Sequence, residues 1–292
     1  MSHLSAAARD SAAAVLGVAA SAVHVRPVSG GCISPAARVE AAGRSVFVKS
    51  AAPSAPSDLF EAEADGLALL RAAQTVHVPE VLAVSADALV LEWLEPGAAT
   101  PDAWRILGSQ LAVLHRVTAA GCGLDRDNYI GPLQQANGWV EEWPVFFRER
   151  RIVPGLERVL HGGAFDARGR RELHALVDAL PDLLGDVVDE GASLLHGDLW
   201  SGNAIPLAAG DIALVDPACY YGHREVDLAM AELFGGFPAV FFDAYEESWP
   251  TRAPGRAQRR SAYRVYYLLV HVNLFGRGYV ERTLQAARAA LA

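Results

Sequence analysis

Strand-like alternation crowds into the first 95 residues of this chain and helical periodicity into the remainder, and that division limits the folds open to it. Ala22 to Val28 and Ala37 to Lys49 read as short β segments around Gly30-Gly31 and Gly43, with Val46 and Val48 alternating. Val81 to Val84 and Ala88 to Trp93 add two more. Between them a helix opens at Ser57 or Asp58, either of which can cap it, and Phe60, Glu63, Leu67 and Leu70 recur along one face. The Glu95-Pro96-Gly97 break ends the β-rich part. Beyond it, helical patterns fill Trp104 to Leu114, Trp139 to Arg151, Arg168 to Leu184, Val226 to Phe234 and Ala257 to Phe275. The expectation is an α+β chain of two lobes, a small antiparallel sheet over residues 1–95 and a mostly helical body over 96–292. A hydrophobic fraction of 52% gives both lobes a core to bury.

The helical half is interrupted once, from Ser193 to Val215. There Leu194-Leu195 and Ile212 to Val215 look like short strands flanking His196-Gly197-Asp198-Leu199-Trp200-Ser201-Gly202-Asn203. An Asp followed five positions later by Asn has the spacing of a kinase catalytic loop. Such a loop lets the Asp198 carboxylate face an attacking hydroxyl while Asn203 turns back toward a metal ion. Asp216 closes the second strand, where a further metal-binding carboxylate would stand. Alone, an Asp ahead of Pro217 reads as a turn; beside the loop, it reads as a second hard oxygen ligand suited to magnesium.

Lys49 ends Val46-Phe47-Val48, a strand resembling the one whose lysine grips the α and β phosphates of ATP. Glu63 shares the apolar face of the next helix, and a carboxylate is seldom buried without a cation. Lys49 alone would read as a solvated strand end and Glu63 as an unexplained carboxylate; an ion pair between them explains both. Gly30, Gly31 and Cys32 join two strands in a turn that matches neither common phosphate-loop pattern, yet its glycines would let backbone N–H groups approach phosphates closely. Glu92, Trp93 and Leu94 would then link the lobes with backbone facing adenine. Asp198 is the candidate base or orienting group, with an ordinary carboxylate pKa near ~3.9. Trp200 is either an aromatic face for a sugar or core filler. His196 and His223 read as structural, and Phe234 to Phe242 as lobe core.

These motifs, with Phe60-Glu61-Ala62-Glu63, Asp127-Asn128-Tyr129-Ile130-Gly131, Asp216 through Met230 and Asn273-Leu274-Phe275-Gly276, resemble the fructosamine kinase (ketosamine 3-kinase) family. The likeness spans nearly the whole chain. It implies a protein-kinase-like fold related to aminoglycoside and choline kinases, and transfer from ATP with Mg2+ to the 3-hydroxyl of a ketosamine, a fructosamine or ribulosamine, in deglycation repair. The implied acceptors are small ketosamines or glycated lysines. His271 becomes a substrate candidate, beside Val270 where the family pattern has asparagine. An aminoglycoside- or choline-type kinase and a nucleotide-binding pseudokinase scaffold are the alternatives; the scaffold would be expected to lack one of Lys49, Asp198, Asn203 or Asp216, and none is missing.

A net charge of −9 argues against nucleic acid and anionic membranes as partners. Cys32, Cys122 and Cys219 are odd in number and scattered, which suits a reducing cytoplasm rather than a disulfide framework or zinc cage. A thiol at Cys32 would lie in the phosphate turn, open to oxidation or merely small enough to fit. The apolar stretch from Ala12 to Val18 mimics a signal peptide but is short, Ala-rich and broken by Gly17, so a first amphipathic helix is expected. Monomer and homodimer stay equally open.

Overall fold

The structure is a computed structural model that describes residues 4–28, 34–187, 190–252 and 254–292. Ser29 to Ile33, and with them Gly30, Gly31 and Cys32, lie outside the described residues. The chain opens with α1 (Ala6–Leu16), capped by the Ser5 hydroxyl and closed by Gly17 in the left-handed region. Five antiparallel strands follow: β1 (His24–Pro27), β2 (Ala36–Ala41), β3 (Arg44–Ser50), β4 (Val81–Val84) and β5 (Ala88–Glu92), in the order β1-β2-β3-β5-β4. Strand alternation does the positioning. Val46 and Val48 bury against Ala8, Ala12 and Leu16 of α1, which turns Phe47 and Lys49 to the opposite face of the sheet.

On that face lies α2 (Leu59–Ala73), whose Phe60, Leu67 and Leu70 pack with Leu89 and Leu91. Asp58 does occupy its N-cap position, but its side chain caps nothing there. Stronger donors claim that carboxylate: the Tyr129 hydroxyl at 2.6 Å and Arg126 at 3.2 Å.

The helical body carries α3 (Pro101–Leu114), β6 (Thr118–Ala119), the hairpin β7 (Asn128–Ile130) and β8 (Leu133–Gln135), α4 (Trp143–Phe146), α5 (Val153–His161) and α6 (Ala167–Gly185). The strands β9 (Ala192–Leu195), β10 (Ala204–Pro206), β11 (Ile212–Leu214) and β12 (Tyr220–Gly222) follow, then α7 (Glu225–Leu233), α8 (Ala239–Ser248), α9 (Arg256–Phe275) and α10 (Val280–Leu291). The helix expected over Trp139 to Arg151 begins four residues later. Cys122 and Val140 bridge as strands, and Pro144, best tolerated in a first turn, sets the start. A wide π-turn, Phe147–Ile152, then joins α4 to α5.

The second half of the aromatic run is helical as α8, with Phe237 and Phe241 packed in the core beside Trp104. No described helix is long and apolar enough to cross a membrane. The short β pairs β10-β11 and β12-β9 frame one loop, and that loop faces the sheet across a cleft.

Candidate active site

The cleft encloses about 440 Å3 and is lined from one side by Phe47, Lys49 and Glu63 and from the other by Asp198, Trp200, Asn203 and Asp216. Lys49 is almost wholly buried. Its Nζ donates to Glu63 Oε1 at 2.7 Å and to Asp216 Oδ1 at 2.5 Å, so one ammonium ties sheet, α2 and the far lobe together. Burial alone would push the Lys49 pKa down; the Asp216 and Glu63 carboxylates outweigh it and hold it above the ordinary value. Glu63 is raised, because burial outweighs the attraction of Lys49.

The His196–Asn203 loop is fixed from inside. Gly197 takes φ +82°, and a Cβ there would stand 2.1 Å from the Ala218 carbonyl oxygen, so only glycine lets the two segments meet. His196 is buried: its Nε2 meets the Val215 carbonyl at 3.0 Å and its Nδ1 faces the Asp198 N–H at 3.3 Å. Asn203 donates through Nδ2 to the Asp198 carbonyl at 2.9 Å and to its Oδ2 at 3.1 Å. That bond leaves Asn203 Oδ1 with no hydrogen bond among the described residues.

Asp198 departs from the expectation of an ordinary carboxylate. Desolvation at the cleft floor and then the nearby charge of Asp216 push it up to about 7, against a smaller pull from the Asn203 amide. Asp216 itself holds φ +55° ahead of a proline, a backbone region that side chains rarely occupy and that costs about 1–3 kcal/mol. Its carboxylate is pinned by Lys49 and packed behind by Pro217, which approaches Gly66 of α2.

An apolar annex of about 110 Å3 continues from the cleft through shared residues Phe47, Pro96, Ile205 and Val215 to Glu92, Trp93 and Leu94. Neither Trp93 nor Leu94 makes a backbone hydrogen bond among the described residues, while the chain on either side is fastened, Glu92 N to Glu80 O and Gly97 N to Pro206 O. The Glu92 side chain turns to the Glu80 amide and the Trp93 ring lies under Arg38. Trp200 covers Gly202 so closely that a Cβ there would fall 2.2 Å from its ring, which leaves the tryptophan both packed and facing the cleft. His271 is not brought to the cleft lining. It bonds the Tyr267 carbonyl and stacks among Phe234, Phe275 and Tyr279.

Two features escaped the sequence reading. Asp227, wholly buried on α7, accepts from the backbone N–H of His196 at 2.7 Å and of Gly197 at 2.9 Å, and meets His115 Nε2 at 3.2 Å. It is the clamp that holds the loop. The second is the latch of Tyr129 and Arg126 on Asp58 and Asp65, which ties α2 to the β7-β8 hairpin. Tyr129 is pushed up to about 12 by burial and by that Asp58 bond.

A five-stranded sheet facing a helical body across such a cleft is a protein-kinase-like fold, also found in macrolide 2'-phosphotransferase type I (TM-score 0.62, 18% identity, covering 100% of this chain and 99% of that one). The family model described as fructosamine kinase matches residues 4–292, and the chain belongs to that family. It is 40% identical over 274 residues to the "Probable ketoamine kinase" of Synechocystis, covering 91% of this chain and 90% of that protein. It is 35% identical to the protein-ribulosamine 3-kinase of Arabidopsis thaliana, covering 90% and 81%. The crystal structure of a "putative fructosamine-3-kinase" from Thermobifida fusca superposes with TM-score 0.87 at 38% identity, covering 97% and 99%.

Proposed function

We propose that the protein transfers the γ-phosphoryl group of ATP to the 3-hydroxyl of a ketosamine, and that the chemistry is carried by Lys49, Asp198, Asn203 and Asp216. The observation that supports this most directly is the convergence of those four side chains, distant in sequence, on one cleft. On this reading residues 1–95 form the nucleotide lobe and 96–292 the acceptor lobe. The apolar annex takes adenine, with the backbone of Trp93 and Leu94, unbonded among the described residues, as its hydrogen-bonding edge.

Lys49, held by Glu63, presents its charge to the α and β phosphates. Asn203 Oδ1 and the Asp216 carboxylate are hard oxygen donors on the same cleft, one without a hydrogen-bond partner among the described residues and the other half-open, and they fit a magnesium ion. Bound there, the ion would neutralise charge on the phosphates. Asp198 accepts the proton of the sugar hydroxyl as its oxygen bonds to the γ phosphorus and the bond to the ADP oxygen breaks. Its raised pKa suits this role, since a base poised near 7 is both available and strong enough. Trp200 offers a ring face to the acceptor. The test is a turnover assay with ATP, magnesium and matched ribulose- and fructose-derived amine adducts. Phosphorylation of either at the 3-position is the expected result; ATP-dependent labelling of aminoglycoside or choline in preference to both would overturn it.

A further inference from the structure

The hairpin that gives Asn128 and Tyr129 to the cleft also gives Ile130, Leu133 and Gln135 to a second cavity, of about 140 Å3. Three guanidinium groups line it: Arg150, Arg151 and Arg158, with Tyr266 and Asn273 from α9. In a chain of net charge −9 this is an unusual concentration of positive charge. None of the three pairs with a carboxylate among the described residues. Arg151 donates to the carbonyls of Ala136 and Arg150 and to Asn137 Oδ1, and Arg158 to the carbonyl of Gln134, all neutral acceptors. The lining also includes Asp127, but its oxygens are taken by the Asn137 N–H at 2.8 Å and the Gln134 amide at 3.4 Å.

Arg151 makes the case sharper. It is 1% exposed, and its Nε is buried without a hydrogen-bond partner. Stacking on Tyr220 at 3.9 Å and Phe146 at 4.7 Å offsets part of that cost. A buried cation that pairs with no carboxylate among the described residues remains expensive, and a bound anion is what would relieve it. Tyr266 lines this cavity and reaches the hairpin that the two cavities share. Its hydroxyl, driven far up by burial, donates to Gln135 of the shared hairpin.

We propose that this cavity is a binding site for a small oxyanion, the carboxylate or phosphate group of a low-molecular-weight ligand, separate from the phosphate-accepting cleft. Guanidinium forks match both groups geometrically. The group sits either on the acceptor itself, a point that rests on the ketosamine reading, or on a separate small molecule.

Calorimetric titration of the full chain with inorganic phosphate, with ADP and magnesium saturating the cleft, tests the site. Saturable binding that weakens tenfold or more in Arg158→Gln and in Arg150→Gln, and holds in Arg171→Gln on the exposed face of α6, is expected. No saturable binding, or one affinity across all four proteins, overturns the proposal. A kinetic arm compares fructosyl-glycine, which bears a carboxylate, with its uncharged glycinamide counterpart. A tenfold rise in KM for the first alone in Arg158→Gln places the anion on the acceptor; unchanged KM for both, with phosphate binding lost, assigns a separate ligand. If neither acceptor is turned over, the ketosamine reading fails while the titration still decides the site.

Discussion

Asp198 and Asp227 serve the same loop from different positions, and their surroundings could hardly differ more. Asp227 is wholly buried and meets three donors or ring nitrogens, two of them the loop's own amides. Asp198 lines the cleft, faces another carboxylate, and is bonded by one side-chain amide. One charge is spent inside the fold and the other is left short of partners. The fold therefore holds its loop with satisfied groups and keeps unsatisfied ones for a ligand. Burial and exposure also separate Glu225, locked to Arg259 at 2.8 Å in the helical core, from Asp216, strained and half-open at the cleft.

The largest effect that could break this contrast is on turnover. Asp198→Asn keeps the shape and the Asn203 contact but removes the proton acceptor, so kcat should fall about 10³-fold with ATP affinity nearly unchanged. Steady-state kinetics and a nucleotide titration check both halves; substantial phosphorylation by this variant would remove Asp198 from the chemistry. Asp227→Ala should fail in a different way. It strands two buried amides and His115, at a cost of about 3 kcal/mol in unfolding free energy. Denaturant unfolding measures that loss, and an unshifted midpoint would mean the clamp holds nothing.

Glu63→Gln probes the middle ground, a charge that is both partnered and aimed at the site. Lys49 keeps Asp216 but loses its anchor on α2, and KM for ATP should rise about tenfold with acceptor KM unaffected. Trp200→Ala should do the converse, raising KM for the ketosamine about tenfold and sparing ATP; equal damage to both would mark the ring as packing alone.

The legible parts of this protein were the ones that broke a local rule. Glu63 stood out as a carboxylate on an apolar stripe, Lys49 as a cation ending a buried strand, and Asp198 and Asn203 by their spacing; the structure brings all four into one cleft with Asp216. The two-lobe α+β architecture followed from periodicity in the same way. Asp227 carries the Glu63 signal too, a carboxylate among Val226, Leu228, Ala229 and Met230, but its partners are backbone amides some thirty residues upstream, and an amide leaves no mark in a sequence. The Tyr129 latch was hidden for a related reason: Asp58 looked like a helix cap, and only tertiary contact reveals the better donor. Pro144 in the first turn of α4 and Pro238 at the N-cap of α8 mark helix starts that a hydrophobic stripe alone does not place.

The smallest predicted effect reads the contrast through stability. Asp198 is raised to about 7 in the folded chain and would be an ordinary carboxylate when unfolded. Below the unfolded value both states are protonated and nothing is lost. As pH climbs from about 4 toward 7 the unfolded chain ionises first, so Asp198 costs the ligand-free fold progressively more stability, about 4 kcal/mol at full value, which solvent at the cleft mouth screens to about 1–2 kcal/mol. Asp198→Asn removes that cost. The variant should therefore melt ~3 °C above its parent at pH 7.5 in the absence of nucleotide and metal, with the gap closing near pH 4. A gap that stayed constant across that range would point to packing, and a variant less stable at pH 7.5 would mean that Asp198, like Asp227, is a satisfied group of the fold.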